Sequence, residues 1–128
     1  MRYILLSVLF VVCAHAWGAT YTVESIPDQR LVNGSHISDP DAILDNDSKA
    51  AIDRRLIDLE ARDGVQIAVV AVESIGDADL VSFAQDLFVQ WKIGHRGRDD
   101  GLLILLVKDK RTVRLHTGYG LEGVLPDV

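Results

Sequence analysis

The chain has little of what would narrow its chemistry quickly. It has a single cysteine, Cys13, so no disulfide framework can form within it and thiolate chemistry has one candidate at most. Three prolines and no low-complexity tract leave it without the signature of a long linker. No serine stands in a nucleophile-elbow context and no phosphate-binding glycine loop precedes a lysine. A covalent hydrolase built on a familiar triad and a P-loop enzyme are therefore disfavoured. Basic residues are outnumbered, 13 against 19 acidic, for a formal charge of −6. That balance argues against nucleic acid or an anionic membrane face as a partner.

The longest apolar run, "YILLSVLFVVCA" from Tyr3 to Ala14, is too short and too promptly followed by polar sequence for a membrane span. With Arg2 before it and Ala14-His15-Ala16 after it, the run has the layout of a signal peptide. Cleavage near Ala16 would export the protein to a periplasmic or other extracytoplasmic space. An uncleaved anchor is one alternative. Acylation of Cys13 is another, although Val12 stands where such signals want a small residue. Removing residues 1–16 takes away the cysteine and Arg2, moves the charge from −6 to −7, and leaves about 112 residues, enough for one small domain.

Residues 17–40 are punctuated by Pro27, Asn33-Gly34 and Asp39-Pro40, which predicts an extended N-terminal segment, with "TYTV" at Thr20 to Val23 a possible edge strand. The domain proper is expected over 41–128. Asp45 is placed to cap a helix whose Ile52, Leu56 and Leu59 recur at helical spacing, and Gly64 to end it. "VQIAVVAVE", Val65 to Glu73, reads as a strand buried on both faces. Asp77 is expected to cap a second helix with a stripe of Leu80, Phe83, Ala84, Leu87, Phe88 and Trp91. "LLILLV", Leu102 to Val107, is a further buried strand, and Thr112 to Thr117 alternates as its hairpin partner. The order predicts an α/β fold, a small mixed sheet made of a βαβ unit plus an antiparallel C-terminal hairpin, covered by helices.

In that hairpin Leu102 would lie opposite Thr117. The loop carrying Arg98, Asp99 and Asp100 would then meet the turn Gly118-Tyr119-Gly120. Adjacent carboxylates with loop carbonyls suit a hard divalent cation, and glycines let the backbone approach closely. Arg98 could neutralise the pair or grip a phosphate, and Tyr119 could offer its hydroxyl to a ligand. Glu122 and Asp127 follow as further carboxylates. The bland alternatives are a solubilising loop and an ordinary turn. His36, His95 and His116 share no metal-box spacing and read as surface or loop residues.

Four stretches resemble one family: "IPDQRLVN" (26–33), "ARDGVQIAVVAVESIG" (61–76), "FVQWKIGHRGRDDGLLILLV" (88–107) and "VRLHTGYGLEGVLPD" (113–127). Together they are similar, in order, to the TPM domain family of exported and membrane-tethered proteins, whose fold is an α/β sandwich. One member in the thylakoid lumen is described as an acid phosphatase of photosystem II repair, and an animal member is an accessory of a neurotransmitter-gated channel. The resemblance thus implies either an interaction module or a metal-assisted phosphatase. It implicates Asp99 and Asp100 in binding a divalent cation, calcium foremost, with Asp99, Asp100 and Arg98 the catalytic candidates should the protein be an enzyme. Gly118, Tyr119 and Gly120 would meet substrate or partner, an envelope or membrane protein being expected. Family domains continue into further helices past the equivalent of Leu125-Pro126-Asp127, so this chain is expected to stop short of them.

Overall fold

The computed structural model describes residues 19–95 and 100–118. Its sheet has four strands in the order β1-β2-β3-β4: β1 Ile37–Ser38, β2 Gln66–Val72, β3 Gly101–Val107 and β4 Thr112–Thr117. The first three are parallel, and β4 returns antiparallel with Leu102 opposite Thr117, as the hairpin reading required. Three helices accompany it, α1 Gln29–Val32, α2 Asn46–Asp63 and α3 Leu80–Gln90. The fold is α/β.

The near-continuous apolar strands serve two cores at once. Ala68, Val70 and Val72 of β2 and Leu103, Leu105 and Val107 of β3 join Phe83, Ala84 and Leu87 of α3 on one side. Ile67, Val69, Leu102 and Ile104 join Ile52, Leu56 and Leu59 of α2 on the other. Alternate side chains point to opposite faces of a strand, so a strand between two helical layers must be apolar at every position. Asp45 caps α2 by accepting from the Ser48 N–H at 2.7 Å, and Gly64 ends it at φ 73°.

Three expectations change. The segment before α2 is folded into the domain rather than simply extended: a 3-10 turn at Val23–Ser25 buries Val23, Ile26 joins the α3-side core, and β1 extends the sheet. "TYTV" supplies only a bridge from Thr20 to Ser74, because the chain turns into the 3-10 helix at Val23. Asp79, not Asp77, caps α3, accepting from the Ser82 N–H at 3.0 Å. Trp91 is the C-terminal cap residue of that helix and packs against the core from there.

Candidate functional site

The two ends of the hairpin meet. The Gly118 N–H donates to the Gly101 carbonyl at 2.9 Å, which sets the turn after β4 beside the residue that follows Asp100. The chain leaving α3 crosses the same place. A Cβ on Gly101 would lie 2.5 Å from the Ile93 carbonyl oxygen, and one on Gly94 would lie 3.0 Å from the Gly101 nitrogen. Backbone touches backbone there, and Gly94 also takes φ 107°, outside ordinary L-residue space.

A clamp holds this crossing. The Arg30 guanidinium donates to both oxygens of Asp28 (2.9 and 2.7 Å), to Gln66 Oε1 (3.2 Å) and to the Trp91 carbonyl (2.6 Å), with its cation 5.5 Å from the Trp91 ring centroid. Gln66 Oε1 also accepts from the Gly94 N–H at 2.7 Å. One arginine thus ties the N-terminal segment, the start of β2 and the end of α3 together.

Against that frame lies a line of four titratable side chains. Asp100 Oδ1 accepts from the His95 N–H at 2.7 Å, and its Oδ2 lies 2.9 Å from His95 Nδ1. His95 Nε2 lies 3.1 Å from Glu60 Oε1, and Glu60 Oε2 lies 3.3 Å from His36 Nε2. His36 Nδ1 donates to the Ile67 carbonyl at 2.9 Å, and the His36 N–H donates to Asp53 at 2.8 Å. Both ring nitrogens of His95 face carboxylate oxygens, which only accept, so the ring is satisfied on both sides as imidazolium. The hydrogen bond to Asp100 raises its pKa against the opposing effect of burial, and Glu60 adds to the rise. For Asp100, burial pushes upward, but the His95 N–H and imidazole outweigh it and leave the carboxyl below its usual range.

Of the residues singled out in the sequence, Asp100 and Gly118 lie in this place, and both are buried. Arg98, Asp99, Tyr119, Gly120, Glu122 and Asp127 lie outside the described residues. His36, expected at the surface, is 8% exposed and belongs to the line. His116 is half-buried, edge-on to Phe88 at 4.8 Å between ring centroids. Glu60 carried a signal that periodicity offers: it continues the Ile52, Leu56 series at four-residue spacing and so falls on the buried side of α2. His36 and Arg30 carried none, because their partners are distant in the chain.

Among the described residues no group of three His, Cys, Asp or Glu side chains stands ready to hold a metal ion. Asp100 stands before the start of β3, and the Thr117 hydroxyl, opposite Leu102 in the register, is buried with no hydrogen-bond partner among the described residues.

The TPM domain model matches residues 37–128, which spans β1 to the last residue. The chain belongs to the TPM domain family. A solution NMR structure of the N-terminal domain of a P. gingivalis protein shares 39% identity with it at a TM-score of 0.77, over 85% of this chain and 70% of that one. The corresponding domain of a Corynebacterium glutamicum protein superimposes at a TM-score of 0.58 with 18% identity, over 79% of this chain and 63% of that one, a likeness of fold alone. No curated protein matches. Membership agrees with the α/β fold, and Gly94 makes the close crossing against β3.

Proposed function

We propose that this TPM domain protein is an exported accessory module of the cell envelope, taking a divalent cation at the hairpin ends and presenting them to an envelope or membrane protein. The observation that supports the reading is the Gly118–Gly101 hydrogen bond, which sets the residue after Asp100 beside the residue that follows β4. Asp100 and the orphaned Thr117 hydroxyl supply oxygen donors, Asp99 and Tyr119 adjoin them in the chain, and calcium is the cation whose ligand preferences such oxygens meet. Leu31 and Val32, on the one-turn helix beside the Arg30 clamp, are 86% and 71% exposed and offer apolar contact to a partner. The acidic balance points to a protein partner rather than nucleic acid.

The test is thermal melting of the protein with calcium, magnesium and manganese, beside the Asp99→Asn, Asp100→Asn double variant. At 100-fold over Kd a bound cation adds ~2.7 kcal/mol, a shift of many degrees in so small a domain. A shift in the parent protein alone supports the reading, and equal curves overturn it. Mass analysis of the protein recovered from an envelope fraction tests export: a chain starting at Trp17 is expected.

One observation favours a second reading, a metal-assisted phosphatase. A bound cation would polarise a phosphoryl oxygen. His95, held between Asp100 and Glu60, is a charged ring able to give a proton to a leaving oxygen. Arg98 would pair with phosphate oxygens. Hydrolysis of a chromogenic phosphomonoester that disappears in Asp99→Asn would move the protein to this class.

A further inference from the structure

At the sheet edge opposite β4, a cavity of about 390 Å³ lies between α2 and the chain that leads into and out of β1. Ser35, Ile37 and Asp39 line it from the strand, and Lys49, Ala50 and Asp53 from the helix. Alternate residues share one strand face, and residues three to four apart share one helix face, so two regular elements supply the lining. The volume falls at the small end of those that hold small molecules.

Some of its polar atoms are committed. Asp39, with a side chain 1% exposed, accepts from the Ile43 and Leu44 N–H groups at 2.8 Å each. The Ser35 hydroxyl accepts from the Ile37 N–H at 3.1 Å. Others keep bonding capacity. Asp53 uses Oδ1 on the His36 N–H at 2.8 Å, and its Oδ2 has no partner among the described residues. Asn33 accepts from the Ser35 N–H through its own oxygen, which leaves the amide hydrogens without a described partner. The Lys49 ammonium lies 3.7 Å from Asp39, an ion pair beyond hydrogen-bond reach. Lys49 and Asp53 stand one helical turn apart, about 5–6 Å between Cβ atoms, yet the lysine pairs elsewhere.

We infer that this cavity binds a small zwitterion of the free α-amino acid class, its carboxylate on Lys49 and the Asn33 amide, its ammonium on Asp53 Oδ2. A ligand of one sign meets repulsion there: an anion such as a phosphate ester faces Asp53, and a diamine faces Lys49. No aromatic side chain lines the cavity, which leaves a sugar without a ring to stack on. Ile37, Pro40 and Ala50 give apolar contact to an aliphatic side chain. The site stands apart from the hairpin ends and does not depend on the cation reading.

The experiment follows amide chemical shifts of the isotope-labelled full-length chain during titration with L-leucine, L-methionine and L-valine at millimolar concentrations. Shifts at Ser35, Ile37 and Ala50 are expected with at least one of the three. N-acetyl-leucine lacks the ammonium and leucinamide lacks the carboxylate. Each is expected to bind about tenfold or more weakly than leucine, the fold-change of one charge-assisted hydrogen bond lost. The preference for leucine over leucinamide should disappear in Lys49→Met, and the preference over N-acetyl-leucine should disappear in Asp53→Asn, which retains the oxygen that takes the His36 N–H. A loss of packing alone would weaken all three ligands together and leave the preferences intact. No shift with any of the amino acids overturns the inference. So do equal shifts with the two derivatives, shifts with glucose or inorganic phosphate in place of the amino acids, or preferences that survive in both variants.

Discussion

The two ends of the parallel strands use acidic residues in opposite ways. Where β1 and β2 finish, carboxylates are spent on the backbone. Asp39 accepts from the Ile43 and Leu44 N–H groups at 2.8 Å each, and Asp41 accepts from the Glu73 N–H and the Tyr21 hydroxyl. Two ion pairs lie there, Lys49 with Asp39 at 3.7 Å and Lys108 with Glu73 at 3.6 Å, the latter with its lysine side chain 60% exposed. Where the strands begin, Asp100 binds the His95 side chain of the same loop and Glu60 binds two imidazoles from distant segments, and the result is a line of side chains instead of a set of caps. Carboxylates that cap loops hold a fold in place. Carboxylates that face imidazoles across three segments can exchange partners, which a site requires.

Breaking the backbone crossing at the starting end should have the largest effect. Gly101→Ala forces a methyl group onto the Ile93 carbonyl and is expected to cost about 3 kcal/mol in denaturant unfolding, the upper end for overpacking. A variant as stable as the parent would mean that the loop after α3 can shift, and that the line it carries is not rigidly framed.

The pH dependence of stability sharpens the contrast. His95 has a pKa raised above 6.5, so its support is complete below that value and is lost as pH rises through the folded-state value. Asp100 is lowered from 3.8, so its support is present above that value and is lost as pH falls through the depressed one. The melting temperature should therefore carry a plateau between about pH 4 and 6.5 that declines on the alkaline side. The alkaline decline should vanish in His95→Ala, and its persistence there would assign it to another group. The smallest effect is expected at the finishing end. Lys108→Ala should stay within about 0.5 kcal/mol of the parent, because an exposed pair is screened by water and salt.

Much of this fold was legible in the chain because local rules carry it. The N-cap of Asp45, the left-handed Gly64 and the apolar period of α2 and α3 are properties of neighbours a few residues apart. The hairpin register followed from the turn placed at Lys108 to Arg111, and with it the meeting of Gly101 and Gly118. The strand β1 was not legible. Two residues, Ile37 and Ser38, carry no period, and they form a strand only because β2 stands beside them. Asp77 and Asp79 were equally good caps by type, and it is Asp79 that accepts from the Ser82 N–H and hydroxyl at 3.0 Å each.

By itself, then, the sequence determined α2, α3 and the strands β2 to β4, their order, their double burial and the place where the hairpin ends converge, since burial pattern and turn chemistry act within a few residues. The tertiary structure alone decided that Glu60 stands between two imidazoles and that Arg30 clamps the crossing beside them. Those contacts join residues 24, 35 and 61 positions apart in the cases of His36–Glu60, Glu60–His95 and Arg30–Trp91. Charge pairing at such separations depends on how two helical layers settle against one sheet, and no local period records it.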